Sequence, residues 1–281
     1  MSLIQLRRPW TEQPQFADPD PNNRFGIVGG LLHTASEFPA RSFADDRQVT
    51  PSAGTLNSAT VGMRPVPTPY GLAGRMYDDA VSARWVYWSQ PALNSKNFTF
   101  LVRLNVRRSL SSYQLVACRA GTAADGTTIP LWITSSGTWD MRLNGTDYTA
   151  AGTASQNVWY DVEIVSSAAG ATLYVNGSAV ITGGAATAGT LPTVFSFGGC
   201  AGTTNPLGAD AIDLSYCLFA NRALSVGELS EVRGNPWQLF APRTIFIPLA
   251  AAAGGGLPTL SNARATSITT TTAVPVVDYA Y

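Results

Sequence analysis

The stretch Ile212–Pro242, IDLSYCLFANRALSVGELSEVRGNPWQLFAP, decides the fold. Ile212, Leu214, Tyr216 and Leu218 alternate with Asp213, Ser215 and Cys217, which is the period of a half-buried strand. Asn221-Arg222-Ala223-Leu224 breaks that period. Ser225 and Glu228 have the S-x-x-E spacing of a capping box, in which a hydroxyl and a carboxylate satisfy the first free backbone N–H groups of a helix. The helix started there is predicted to run about one and a half turns. Gly234-Asn235-Pro236 ends it, because proline cannot extend a helix and pushes the preceding residue to extended geometry.

Upstream the same strand period recurs. Phe98, Phe100, Val102, Leu104 and Val106 alternate with Thr99, Arg103, Asn105 and Arg107. Tyr113, Leu115 and Ala117 follow, then Leu131–Ile133 and Trp139–Leu143. Val158, Tyr160, Val162 and Ile164 alternate with Trp159, Asp161 and Glu163. Thr172–Val175 meets Ala179–Ile181 across Asn176-Gly177, and Asn-Gly is the strongest short hairpin signal because both turn residues take positive φ. About nine or ten short strands with one small helix predict an all-β antiparallel sandwich.

The closing strand, NRALS, the capping box and NPWQLF resemble the last segment of LamG-like domains in the concanavalin A-like lectin/glucanase superfamily. WYDVEI and LYVNG (Trp159–Ile164, Leu173–Gly177) are similar to that family's central hairpin. The resemblance covers residues 85–249 and implies a jelly-roll sandwich. NPWQLFAP, together with LRRPWTEQPQ at Leu6–Gln15, resembles the version of the domain found in tailed-bacteriophage structural proteins. That implies a virion protein, assembled in the host cytoplasm.

The flanks differ in composition. Residues 1–24 carry four prolines and read as an extended arm. Residues 25–84 hold short apolar groups among Gly and Pro and read as an irregular leader wrapping the domain. Residues 250–256 are alanine and glycine, a flexible linker. Residues 257–281 are rich in Thr, Ser and Val and resemble the first two strands of a fibronectin type III-like module. Two strands are marginal in water and need a partner surface, reached by strand addition to their own domain or to another chain. Trp10 in the arm, with Ile268, Val274 and Val276 in the tail, are the expected assembly contacts.

The chain has 281 residues, 45% hydrophobic and 10% aromatic, enough for a sizeable core. Charged residues are 13% and the net charge is zero, against ~25% charged in an average domain. No basic face for neutralising phosphates is expected, and so no nucleic-acid partner. No run approaches the ~18 apolar residues of a membrane helix, so no membrane insertion is expected. A neutral, charge-poor surface suits a protein covered by neighbours. These would be capsid, portal, tail or fibre subunits, or further copies of the chain, a trimer being common among such phage proteins. Cys118, Cys200 and Cys217 are odd in number and widely spaced, which reads as buried thiols rather than a disulfide framework.

Catalysis has little to rest on. The glucanase branch of the family uses carboxylates spaced two apart on one strand, a pattern near E-x-D-x-x-E, and no such run occurs. Asp161-Val162-Glu163 has the spacing locally, and alternation places both on a solvated face opposite Tyr160 and Val162. His33 is the sole histidine, with no G-x-S-x-G elbow to serve. The expectation is a chain that is not an enzyme. No cofactor is called for, although calcium is possible through hard oxygen ligands at strand ends, Asp210 and Asp213 first among them. Carbohydrate sites need aromatic platforms beside amides or carboxylates. Trp132, Trp139 and Trp159 are the candidate platforms, with Asn144, Asp147 and Asn176. The leading expectation is a virion protein, head- or tail-attached, held by its terminal arms and presenting a lectin-like jelly roll. The alternative is a receptor-recognising adhesin that binds host surface glycans, and a third reading, a glycoside hydrolase, is disfavoured for want of paired carboxylates.

Overall fold

Strand Phe98–Val106 shows why these sequences become a sandwich. Its odd-numbered partners and its even-numbered apolar residues lie on opposite faces, yet all nine residues are buried. It is therefore a central strand with a layer on each side. The computed structural model describes residues 3–8, 11–14, 20, 22–32, 41–42, 51–52, 63–76, 85–89, 97–107, 113–120, 123–124, 131–134, 136–143, 146–183, 194–197 and 212–248. By its contacts the chain divides into two compact units, Pro9–Ala241 and the pair of ends Met1–Arg8 with Pro242–Tyr281.

The larger unit is two antiparallel sheets. A nine-stranded sheet runs Ser178–Gly183, Gly170–Val175, Val158–Ser167, Phe98–Val106, Ile212–Ala220, Ile27–Leu32 and Arg41–Ser42 in spatial order. The hairpin Met63–Thr68/Gly71–Met76 joins it through Gly71–Met76, which pairs the start of Ile212–Ala220. The eight-stranded sheet runs Thr146–Thr153, Thr138–Leu143, Leu131–Ile133, Tyr113–Ala120, Val194–Phe197, Trp85–Ser89 and Pro51–Ser52, with Ala123–Ala124 beside Tyr113–Ala120. Residues 25–84 thus contribute strands to both sheets. Asn176 and Gly177 take φ of 50° and 81°, the paired positive values that their Asn-Gly sequence predicts.

The core between the sheets is apolar. Phe98, Phe100, Val102, Leu104, Val162, Ile164 and Leu173 face Leu131, Ile133, Trp139, Met141 and Leu143. Phe100 and Phe219 meet with ring centroids 4.8 Å apart. The strand Ile212–Ala220 departs from the simple alternation. Leu214 stands opposite Leu104 and Tyr216 opposite Arg103, so Ser215 is one extra residue and the register slips. A bulge of this kind exchanges the faces beyond it. Ile212, Leu214, Cys217 and Phe219 point into the inter-sheet core. Tyr216, Leu218 and Ala220 point the other way. The single face read from sequence for Ile212, Leu214, Tyr216 and Leu218 is corrected accordingly. Burial pushes the Cys217 thiol well above the usual range, as for an inert core residue.

The opposite face of the nine-stranded sheet is covered by the helix Val226–Gly234 and the 3-10 turn Pro236–Leu239. The helix has nine residues, longer than the predicted one and a half turns. Ser225 Oγ accepts from the Glu228 N–H at 3.3 Å, and a Glu228 carboxylate oxygen accepts from the Ser225 N–H at 2.8 Å. Arg222 and these capping bonds hold the Glu228 carboxyl down to about 2. Leu229 and Val232 pack with Trp237, Leu239 and Phe240 onto Leu101, Tyr216, Leu218 and Phe25. Thr99 ties the layer down: its hydroxyl donates to the Arg222 carbonyl and accepts from the Leu224 N–H, both at 2.9 Å.

The two ends form their own antiparallel ribbon. Leu3–Arg8 pairs Arg243–Pro248 from Leu3 opposite Pro248 to Arg8 opposite Arg243. The rest of the proposed assembly arm (Trp10, Ile268, Val274, Val276) lies outside the described residues, as do the linker 250–256 and the tail 257–281.

Candidate functional site

The helix-covered face carries charge beside its apolar cluster. Arg103, Asp161 and Tyr216 stand on three adjacent strands, and the register sets Arg103 opposite both Asp161 and Tyr216. Arg103 grips Asp161 with a two-pronged fork, Nε to Oδ1 at 2.8 Å and a terminal nitrogen to Oδ2 at 3.1 Å. Such paired bonds fix orientation as well as charge. The same terminal nitrogen donates to the Arg233 carbonyl at 2.7 Å, at the helix end where free carbonyls favour a cation. The Tyr216 hydroxyl donates to Asp161 Oδ1 at 3.0 Å. Burial disfavours the Arg103 charge, but Tyr216 and Asp161 outweigh it and hold the guanidinium above its ordinary range. Burial and Asp161 push the Tyr216 phenol well up.

A second pair lies beneath. Glu163 shares the face of Asp161 but is not solvated there: its side chain is 1% exposed. One carboxylate oxygen accepts from Arg233 at 3.0 Å, and the other is buried without a hydrogen-bond partner. Burial, opposed by Arg233 and reinforced by Asp161, raises the Glu163 carboxyl to about 7. The solvated face expected for this carboxylate pair is corrected by the helix, which shields it.

Over these pairs opens a pocket of about 490 Å³. Strand Val158–Ser167 supplies Trp159 and Asp161, and Phe98–Val106 supplies Arg103. The helix supplies Ser230, Arg233 and Gly234, the Asn176-Gly177 turn supplies Asn176, and the 69–70 turn supplies Tyr70. Tyr70 and Trp159 meet edge-on at 5.7 Å, and the Arg103 guanidinium sits 4.6 Å from the centre of the Tyr70 ring. Each wall is fixed by backbone bonds. Gln13 clamps the Tyr70 hairpin through Leu72, accepting its N–H at 2.6 Å and donating to its carbonyl at 3.1 Å. Asn176 Oδ1 accepts the Asp161 N–H at 2.9 Å. A methyl group added at Gly177 would lie 3.0 Å from the Arg233 guanidinium. The arrangement can stack a flat apolar face on an aromatic ring and bond polar groups at its rim.

The residues singled out by sequence divide among three places. Asn176 lines this pocket. Trp132 and Asp147 lie on the outer face of the eight-stranded sheet, joined by Arg142, which is 4.4 Å over the Trp132 ring and forks onto Asp147 at 2.5 and 2.8 Å. Trp139 is 3% exposed and packs against Tyr160 in the inter-sheet core. Asn144 and Asp210 lie outside the described residues. Asp213 is 2% exposed and Arg75 forks onto its carboxylate at 2.6 and 3.0 Å. It serves an ion pair rather than an open oxygen site, and no group of three or more His, Cys, Asp or Glu able to hold a metal occurs among the described residues. No helix among them is long and apolar enough to cross a membrane. Sequence reasoning missed Tyr70, Arg103 and Arg233. Arg103 alone carried a signal, as a charge in the middle of a strongly apolar strand.

The comparisons with known proteins agree with this geometry at the level of fold. A Trypanosoma rangeli sialidase in complex with sialic acid is 18% identical with a TM-score of 0.51, covering 74% of this chain and 32% of the sialidase. A structure described by the dependence of botulinum neurotoxin type C cell entry on two ganglioside molecules is 11% identical, TM-score 0.54, covering 74% and 50%. The binding domain of botulinum neurotoxin DC with rat synaptotagmin II is 12% identical, TM-score 0.54, covering 74% and 51%. This chain therefore spans about a third of the sialidase and half of the toxin chains. A comparison with curated proteins finds no match. The expectation of a chain that is not an enzyme does not stand, because the similar structures include sialidases and the fold spans enzymes and non-enzymes alike. The family model described as the concanavalin A-like lectin/glucanases superfamily, of laminin G type, matches residues 80–229. With that match over half the chain and a two-sheet sandwich beneath it, the protein belongs to the concanavalin A-like lectin/glucanase superfamily.

Proposed function

We propose that the chain is a glycan-binding module whose ligand seats in the pocket bounded by Trp159, Tyr70, Arg103 and Asn176. The observation that carries this reading is the aromatic pair set edge-on beside a fixed guanidinium. A pyranose presents apolar C–H faces and a ring of hydroxyls, which this combination matches. Tyr70 is 44% exposed, so the platform is open to an approaching chain end. Structural neighbours whose descriptions name sialic acid and gangliosides are in line with it. Binding of the full chain to a glycan array, lost in Trp159→Ala with unchanged thermal unfolding, is the expected result. No binding to any glycan, or binding indifferent to Trp159→Ala, rejects the reading.

As a second reading we propose a decoration or fibre-type protein of a tailed-phage virion, attached by its ends. The observation favouring this second reading is the ribbon Leu3–Arg8/Arg243–Pro248. Its two outer edges are unpaired among the described residues, and free edges recruit strands from neighbours. Deletion of residues 1–8 should abolish incorporation into particles, and normal incorporation rejects the attachment.

A further inference from the structure

The Arg233–Glu163 pair joins the pocket to a buried acid. Arg233 lines the pocket and is 17% exposed, while Glu163 lies behind it at 1%. One Glu163 oxygen binds Arg233 and the other is buried with no partner. A carboxylate left half-satisfied in a covered layer is costly, whereas the protonated form removes the buried charge. The groups facing Glu163 from the surrounding elements are few. Arg233 comes from the helix and Asp161 from its own strand. Arg103 and Tyr216 come from the next two strands, and Tyr174 stands opposite on Gly170–Val175. Asp161 is already shared by Arg103 and Tyr216. Arg233 is therefore the cation whose compensation depends on Glu163.

We infer that the pocket is acid-gated toward anionic sugars: protonation of Glu163 leaves the Arg233 guanidinium uncompensated at the pocket wall, where it binds the carboxylate or sulfate of an acidic saccharide. This rests on the glycan-binding reading of the same pocket and adds the ligand class and its control. A guanidinium fork matches a planar carboxylate best. The burial that raises Glu163 to about 7 puts the transition in an accessible range. Binding and protonation are then linked, each strengthening the other.

The test uses the full chain with three probes, lactose, sialyllactose and 6-sulfolactose, titrated calorimetrically at about pH 5.5 and about pH 8.5, on either side of the Glu163 transition. Affinity for the two acidic probes is expected to be at least about fivefold higher at the lower pH, with lactose unchanged. Sialyllactose should gain more than the sulfated probe if the fork recognises a carboxylate. Glu163→Gln should bind the acidic probes at the high pH as the wild type does at the low pH. In the wild type, sialyllactose should also raise the midpoint of the Glu163 carboxyl titration followed by NMR, a reading that needs no variant. Sugar binding with equal acidic-probe affinity at both pH values, or an unmoved Glu163 midpoint, overturns the gating and leaves the glycan reading intact. No binding of any probe at either pH overturns both.

Discussion

The two faces of the nine-stranded sheet are built on different terms. The face toward the other sheet is apolar from Phe98 to Phe219. The helix-covered face has an apolar cluster of its own but embeds Arg103–Asp161 and Arg233–Glu163 at its margin. A dry interface needs only hydrophobic volume and shape, which many sequences supply. A face holding buried ion pairs needs each charge met by a named partner, and gains fixed orientation where the pocket lies. The first face makes the sandwich; the second makes it particular.

The sharpest way to separate them is to damage each alone. Phe100→Ala should cost about 3–5 kcal/mol in chemical denaturation, while the folded fraction keeps the sugar affinity proposed for the pocket. A large affinity loss in that variant would show that the dry core also sets the site. Arg103→Ala should cost about 3 kcal/mol, because Asp161 is left without its fork. Arg103→Met combined with Asp161→Leu should recover most of that stability and none of the binding. Recovery of binding would move the site elsewhere.

Acidity probes the same contrast. Glu163 is raised from an ordinary 4.5 to about 7 in the folded chain. Between those values the folded state holds a proton that the unfolded state has released. Its stabilisation is complete below about 4.5 and is lost as pH rises through about 7, up to about 3 kcal/mol in all. Unfolding measured across that window should show the slope in the wild type and not in Glu163→Gln. The smallest effect belongs to the helix start: Ser225→Ala should cost about 1 kcal/mol, read as a lowered melting temperature.

The sandwich was legible because alternation, Asn-Gly and the capping box are local signals, each confined to a few residues. The strand Ile212–Ala220 was misread for a definite reason. Both of its faces are apolar beyond Ser215, so a one-residue slip leaves the sequence pattern looking unbroken. The site was legible only in part. Asn176 betrays itself by its turn, and Trp159 by its family motif. Tyr70 sits in a proline-rich run whose partner, Gln13, comes from the arm, and Arg233 reads as an ordinary helix-end cation. Trp132 and Trp139 are one outer-face residue under Arg142 and one core residue, a difference set by which side of the sheet each faces rather than by residue type.

The Asn176-Gly177 turn bears on how this scaffold can change. A side chain at Gly177 would press on the Arg233 guanidinium 3.0 Å away, and the φ of 81° disfavours one as well. A longer or bulkier loop there would shift the cation at the pocket wall. Gly152 has nothing within 4 Å of an added methyl, but its φ of 109° holds that position to glycine by backbone conformation alone. The two glycines are thus held for different reasons, one by a neighbouring cation and its backbone and the other by its backbone alone, and only a change at the Asn176-Gly177 turn reaches the pocket wall.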